Sequence, residues 1–226
     1  MTIYYVGGSK GGVGKTLVAF TLADHLGKQK KPFAIVETDS ANPDFAAAFG
    51  KAQKPPPILH LTLDSQAAWR DLLAFANQHK DHDVILNSAA GGITFIREHG
   101  AAFEAALIAN NQQLVTLWPI NMERDSLMAL RQYLEVMTFR CHPIRNLHYG
   151  DAHEFYLFNE SEMKRELDAK GHHTINLPAL ASRCAVQLRN SRLTLPAAHN
   201  AMHLLNRCEL FRWRLACHQQ FSEITQ

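Results

Sequence analysis

Little in this sequence points to a disulfide framework, a metal cluster or a membrane span. Its 226 residues include four cysteines, Cys141, Cys184, Cys208 and Cys217, and none falls in a C-x-x-C pair. That spacing excludes a paired-cysteine metal site and reads as thiols in a reducing compartment. Thirteen histidines are present, without H-E-x-x-H or a similar ligand pattern. No stretch is long and apolar enough to cross a bilayer. Lysines and arginines number 23 against 21 acids, a net charge of +2, so no strong global field draws the chain to nucleic acid. Repeats and low-complexity linkers are absent, and the sequence reads as one domain, 1–226. A strand and a loop begin so early that no secretory signal is expected; the expected location is the cytoplasm.

One segment stands out from this background. Ser9-Lys10-Gly11-Gly12-Val13-Gly14-Lys15-Thr16 follows the apolar run Ile3-Tyr4-Tyr5-Val6. A helical pattern comes next, with Leu17, Phe20, Ala23 and Leu26 on one face. A glycine-rich turn between strand and helix aims backbone N–H groups into one concavity, where a phosphate fits beside the positive helix end. Gly11, Gly12, Val13 and Gly14 form that turn. Lys15 is placed to reach the β- and γ-phosphates, and the Thr16 hydroxyl to ligate Mg²⁺. The strict pattern G-x-x-x-x-G-K-[ST] has one departure, because Ser9 stands at its first glycine.

Short apolar runs alternate with helical patterns along the chain. The expected fold is α/β, a mostly parallel sheet flanked by helices on both faces. Strands are expected at 3–6, 33–37, 84–87, 113–117, 154–158 and 174–177, with 59–63 as an extra one. Helices are expected at 15–29, 65–79 (capped by Asp64), 95–109, 123–138, 161–170, 179–189 and 197–221. Residues 140–153 show no period and read as a long loop. Its Arg140, His142, Arg145, His148 and Tyr149 suit an acidic partner or nucleic acid, or simply a solvated insertion.

K-G-G-V-G-K-T resembles the deviant phosphate loop of the ParA/MinD ATPases, a P-loop NTPase family. The resemblance implies ATP/ADP and Mg²⁺ as ligands and a homodimer formed on ATP binding. It implies that Lys10 reaches across the dimer to the partner's phosphates, as an arginine finger does. Iron–sulfur carriers share the loop but use paired cysteines, which this chain lacks. Glu37-Thr38-Asp39-Ser40-Ala41-Asn42-Pro43-Asp44 falls at switch I, where the family has D-x-D. Asp39 there orients the attacking water or holds a Mg²⁺-bound water. His82-Asp83-Val84-Ile85-Leu86-Asn87-Ser88-Ala89-Ala90-Gly91-Gly92 resembles the Walker B and switch II segment, with Asn87 where the family has aspartate. Asparagine keeps an acceptor and loses the charge, so weak Mg²⁺ binding and slow hydrolysis are expected. The family's base contacts, an Asn ending a late strand and a Pro after the next one, map onto Asn159 and Pro178. The sequence E-T-D-S-A-N-P-D-F is similar to plasmid-encoded ATPases of the StbB or TraL kind, which implies plasmid partition or conjugative transfer with a small DNA-binding partner protein.

From Gly171 onward there is no lysine, and six arginines face two glutamates. That basic end suits non-specific DNA contact or a MinD-like membrane helix; the polar 222–226 end argues against the membrane. Leu204, Cys208, Phe211 and Leu215 share one helical face, which reads as core packing.

Overall fold

The computed structural model describes residues 1–8 and 11–225. Seven strands form one all-parallel sheet: β1 (Thr2–Val6), β2 (Phe33–Glu37), β3 (Ile58–His60), β4 (Asp83–Asn87), β5 (Gln113–Ile120), β6 (Arg140–Asn146) and β7 (Ile175–Leu177). Their spatial order is β3-β2-β4-β1-β5-β6-β7, with parallel register throughout. Among the described residues ten α-helices surround the sheet: α1 (Lys15–Lys28), α2 (Asp44–Gly50), α3 (Gln66–Gln78), α4 (Gly92–Ala109), α5 (Arg124–Leu134), α6 (Tyr156–Asn159), α7 (Glu162–Ala169), α8 (Ser182–Ser191), α9 (Leu195–Ala201) and α10 (Leu204–Phe221).

Alternation along the strands feeds two cores. Tyr4 and Val6 of β1 join one cluster with residues of α1, α2, α8, α9 and α10. Ile3 and Tyr5 join the other, with residues of α3 to α7. Side chains of a strand alternate between faces, so both faces of the sheet are covered, as an all-parallel sheet requires. β1 lies near the middle, between β4 and β5. The chain leaves β1 for β2 on one side, and the later connection from β4 crosses β1 to β5 on the other; the carboxyl ends of strands at such a reversal are where open α/β sheets bind ligands.

Five expectations are corrected. Residues 140–146 form β6, an interior strand, in place of a loop. Pro143 is tolerated because β7 pairing begins only at Ile144, so β6 is an edge on that side at Pro143. Residues 154–158 are no strand. A 3-10 turn, Ala152–Glu154, leads into α6, and Phe155 and Phe158 are buried at helical spacing while Tyr156 and Leu157 face out. α2, seven residues after Pro43, is an additional helix. The expected helix 197–221 is two, α9 and α10, broken at Met202 and His203. Helix α3 is capped by the Ser65 hydroxyl, which accepts from the Ala68 amide at 3.4 Å, and not by Asp64.

The face of α10 is also corrected. Leu210, Trp213, Cys217 and Phe221 are its buried stripe. Leu204, Cys208, Phe211 and Leu215 all stand exposed.

Candidate functional site

At the carboxyl end of β1 the chain turns sharply. Gly7 continues the ladder, its amide donating to the Leu117 carbonyl at 3.1 Å. A Cβ there would lie 2.6 Å from the Tyr5 ring and 2.8 Å from the Trp118 ring, so only glycine fits. Gly12 (φ 85°) and Gly14 (φ 106°) adopt left-handed conformations that side chains resist. Gly14 is the N-cap of α1, so the helix points its first N–H groups and positive end at the turn. Val13 is buried, and Lys15 is 8% exposed. Burial pushes the Lys15 ammonium down, and the negative charge of Asp39 pushes it back up. Gly11, Gly12, Val13, Gly14, Lys15 and Thr16 are therefore brought together as the sequence indicates. Ser9 and Lys10 lie outside the described residues.

The end of β6 braces this loop. Asn146 donates from Nδ2 to the Val13 carbonyl at 3.0 Å, and the Tyr149 hydroxyl donates to the Gly12 carbonyl at 2.8 Å. Asn146 Oδ1 in turn accepts from the His148 amide at 3.1 Å, which fixes the amide's orientation. The fit is close: a Cβ on Gly14 would meet Asn146 Nδ2 at 2.6 Å. Sequence reasoning missed this brace because β6 was not read as a strand. Residues 140–145 read R-C-H-P-I-R and carry no apolar run that would have signalled it.

The two segments expected to act as switches meet at the ends of β2 and β4, where Glu37 and Asn87 are register partners. Glu37 is 2% exposed. Its Oε1 accepts from Asn87 Nδ2 at 2.9 Å and from the Asp39 amide at 3.1 Å; its Oε2 accepts from the Ala46 amide at 3.3 Å. Burial raises its carboxyl above the usual range, and those donors pull it back. Thr38 completes the link, donating its hydroxyl to the Asn87 carbonyl at 3.1 Å while accepting from the Ala89 amide at 2.9 Å. Asp39 is half-buried and accepts from the Asn42 amide at 2.9 Å. Asn87 Oδ1 is buried without a hydrogen-bond partner. Gly91, at φ 86°, caps α4.

These groups suit a hard cation. Thr16, Asp39 and the orphaned Asn87 Oδ1 offer oxygen only, the chemistry Mg²⁺ takes when phosphates and water supply the rest. Among the described residues no three His, Cys, Asp or Glu side chains form a metal-holding group.

Asn159 and Pro178 fare differently. Asn159 ends the short helix α6, not a strand. Its Oδ1 accepts from Arg145 at 2.8 Å, and its Nδ2 donates to the Ala152 carbonyl at 2.8 Å. Among the described residues the late strand ending in asparagine beside the loop is β6, at Asn146. Pro178 directly follows β7, and its carbonyl accepts from the Trp213 indole at 2.7 Å.

The residues expected to offer a basic surface are mostly engaged. Arg145 donates to Asn176 and Asn159. His142 is buried, bonded to the His173 carbonyl at 2.9 Å and pushed down to about 4 by desolvation. Of the C-terminal arginines, Arg214 forms a two-point bond with Asp24 at 2.7 and 2.8 Å, Arg192 pairs with Asp44 and Arg212 with Glu209.

Comparison with known proteins gives a relative across almost the whole chain. Protein MobD of Acidithiobacillus ferrooxidans is 32% identical over 214 residues, covering 94% of this chain and 93% of that protein. Among solved structures, the MinC:MinD cell division protein complex of Aquifex aeolicus superposes with a TM-score of 0.57 at 12% identity, over 100% of this chain and 97% of that one. The Aquifex aeolicus MinD cell division protein gives 0.51 at 14% identity, over 100% and 98%. No family model matches the sequence. The two structural likenesses establish the P-loop NTPase fold. Among the described residues no helix is long and apolar enough to cross a membrane.

Proposed function

We propose, for a chain that belongs to the family of Protein MobD and has the ParA/MinD-like P-loop fold, an ATP-binding, dimerising switch that acts in plasmid DNA partition, positioning or conjugative transfer. The observation that carries the reading is the turn after β1. Gly12 and Gly14 adopt left-handed conformations, Gly14 caps α1, and Lys15 is buried. In this reading the backbone amides and Lys15 hold the triphosphate, and Asn146 and Tyr149 keep the loop in shape. Thr16 and Asp39, with Asn87 Oδ1, hold the cation and its waters. Mg²⁺ supplies charge neutralisation at the phosphates. Lys10 closes the site from the partner copy, and Asp39 orients the attacking water. ATP favours association and ADP releases it. A small DNA-binding protein is the proposed partner, and the cytoplasm the proposed location.

Turnover is proposed to be slow. The acid that the family places at the end of β4 is an amide here, and the nearby carboxylate, Glu37, is committed to two backbone amides and to Asn87. A nucleotide-binding module with little hydrolysis is the second reading that this bond favours.

Calorimetric titration with ATP and Mg²⁺ tests binding. The wild type saturates at one site per chain, and Lys15→Ala weakens affinity by about a hundredfold or more, a loss of ~3 kcal/mol. Equal affinity in the two proteins would overturn the assignment of the site.

A further inference from the structure

The outer face of α10 is apolar where solvent meets it. Leu204 is 70% exposed, Leu205 74%, Phe211 49% and Leu215 45%, and Cys208 is exposed between them. Positions 204, 208, 211 and 215 step by four, three and four residues. That is the alternating spacing of a coiled-coil seam, and it spans about 16 Å of helix. It is a second stripe. The first, at Leu210, Trp213, Cys217 and Phe221, already anchors the helix in the core; on the outer one Phe211 meets the His199 ring of α9, centroids 6.0 Å apart, and still stands half exposed. At its far end Leu215 lines a cleft of about 410 Å³ shared with His25, Lys28, Gln29, His218, Gln219 and Ser222.

The charges around the stripe decide what fits it. Arg207 and Arg212 flank it on opposite sides, and Lys28 stands at the cleft. Arg212 is 79% exposed and only loosely paired with Glu209, at 3.6 Å. Arg207 is exposed and held in place by the Asn200 and Met202 carbonyls, at 3.1 and 3.2 Å. Glu209 is the one acid of α10. A second copy of α10 would set arginines against arginines in the flanking positions that decide helix pairing. DNA has no use for a central row of leucine and phenylalanine. Anionic lipid would also meet an apolar face flanked by arginines, and vesicles are therefore one arm of the test below.

We infer that the outer face of α10 docks an acidic amphipathic helix of a partner protein, its leucine-type residues seated on Leu204, Cys208, Phe211 and Leu215 and its carboxylates facing Arg207, Arg212 and Lys28. The mode is helix-on-helix recognition by spaced anchors. It is independent of the nucleotide site, so the nucleotide-free protein is competent for it.

The test uses the full chain without nucleotide. Two fluorescent helical peptides carry leucine at the seam positions and either glutamate or lysine on both flanks; phosphatidylglycerol vesicles are the third probe. The glutamate peptide binds saturably, at least about tenfold tighter than the lysine peptide. Phe211→Glu abolishes binding, and Arg207→Glu with Arg212→Glu inverts the preference. Circular dichroism and ATP affinity stay at wild-type values in each variant, which separates a lost surface from a lost fold or nucleotide site. The inference is overturned if neither peptide binds, if both bind equally, if the vesicles bind and the peptides do not, or if Phe211→Glu changes the mass of the free protein and so reveals a contact between copies.

Discussion

Two strands of the sheet, β4 and β6, end in asparagine at the phosphate side, and the two amides have opposite employment. Asn146 donates to a peptide carbonyl of the loop, and its oxygen is held by the His148 amide. It is a brace with both ends tied. Asn87 donates to a carboxylate, Glu37, and its oxygen has no partner in a buried setting. A neutral group tied at both ends stabilises one geometry. A group tied to a buried acid, with an open acceptor, is sensitive to whatever cation, water or proton arrives. The contrast separates a fully tied amide from one with an open acceptor within one site. The resembling family has aspartate at both positions; here β2 ends in Glu37 and β4 in Asn87.

The largest effect expected from this contrast is at Asn87. Asn87→Asp sets a second carboxylate about 3 Å from Glu37. Two such acids do not both ionise, so urea denaturation at neutral pH records a loss of about 3 kcal/mol. Adding Glu37→Gln recovers part of it, since one acid and one amide again face each other. Non-recovery would mean that the loss arises elsewhere.

Asn146→Ala comes next. It leaves the buried Val13 carbonyl without its donor, costing about 1 kcal/mol of stability. The loop loses its brace, and ATP affinity falls by about fivefold. An unchanged affinity would make Asn146 a packing residue only.

Acid titration sharpens the difference through sign. His25 and His142 are both pushed from 6.5 down to about 4, first by desolvation. A depressed base gives stability that is present above its unfolded value and lost as pH falls toward the folded one. Glu37 is shifted upward, so its native form takes up a proton more readily than the unfolded chain, and its contribution grows as pH falls. Thermal denaturation from pH 7 to pH 4 therefore shows falling stability, and the fall is steeper in Glu37→Gln than in wild type. A shallower fall in the variant would contradict the placement of Glu37. The smallest effect is at Tyr149→Phe, where an exposed hydrogen bond to Gly12 is lost; the cost is about 0.5 kcal/mol, read as a roughly twofold weaker ATP affinity.

The phosphate loop was legible in the sequence because its physics is local: an apolar strand, glycines where no side chain fits, a lysine and a helix. Glu37 and Asn87 were legible as departures, but their bond was not, because it joins residues 50 apart in sequence. β6 was hidden by Pro143, by His142 and by Arg145, residues that read as loop until His173, Asn176 and Asn159 supply their partners. Residues 154–158 misled in the other direction. An aromatic run reads as a strand, while burial at Phe155 and Phe158 alone is the helical signal. On α10 two apolar stripes were present, and only tertiary packing decides which one faces the core.

Nucleotide-controlled association is the central claim, and light scattering on the eluting protein tests it most directly. The account predicts a monomer with ADP, a dimer with ATP and Mg²⁺, and a monomer with ATP when Lys10→Ala is introduced. A monomer under every condition, or a dimer indifferent to nucleotide, would contradict it.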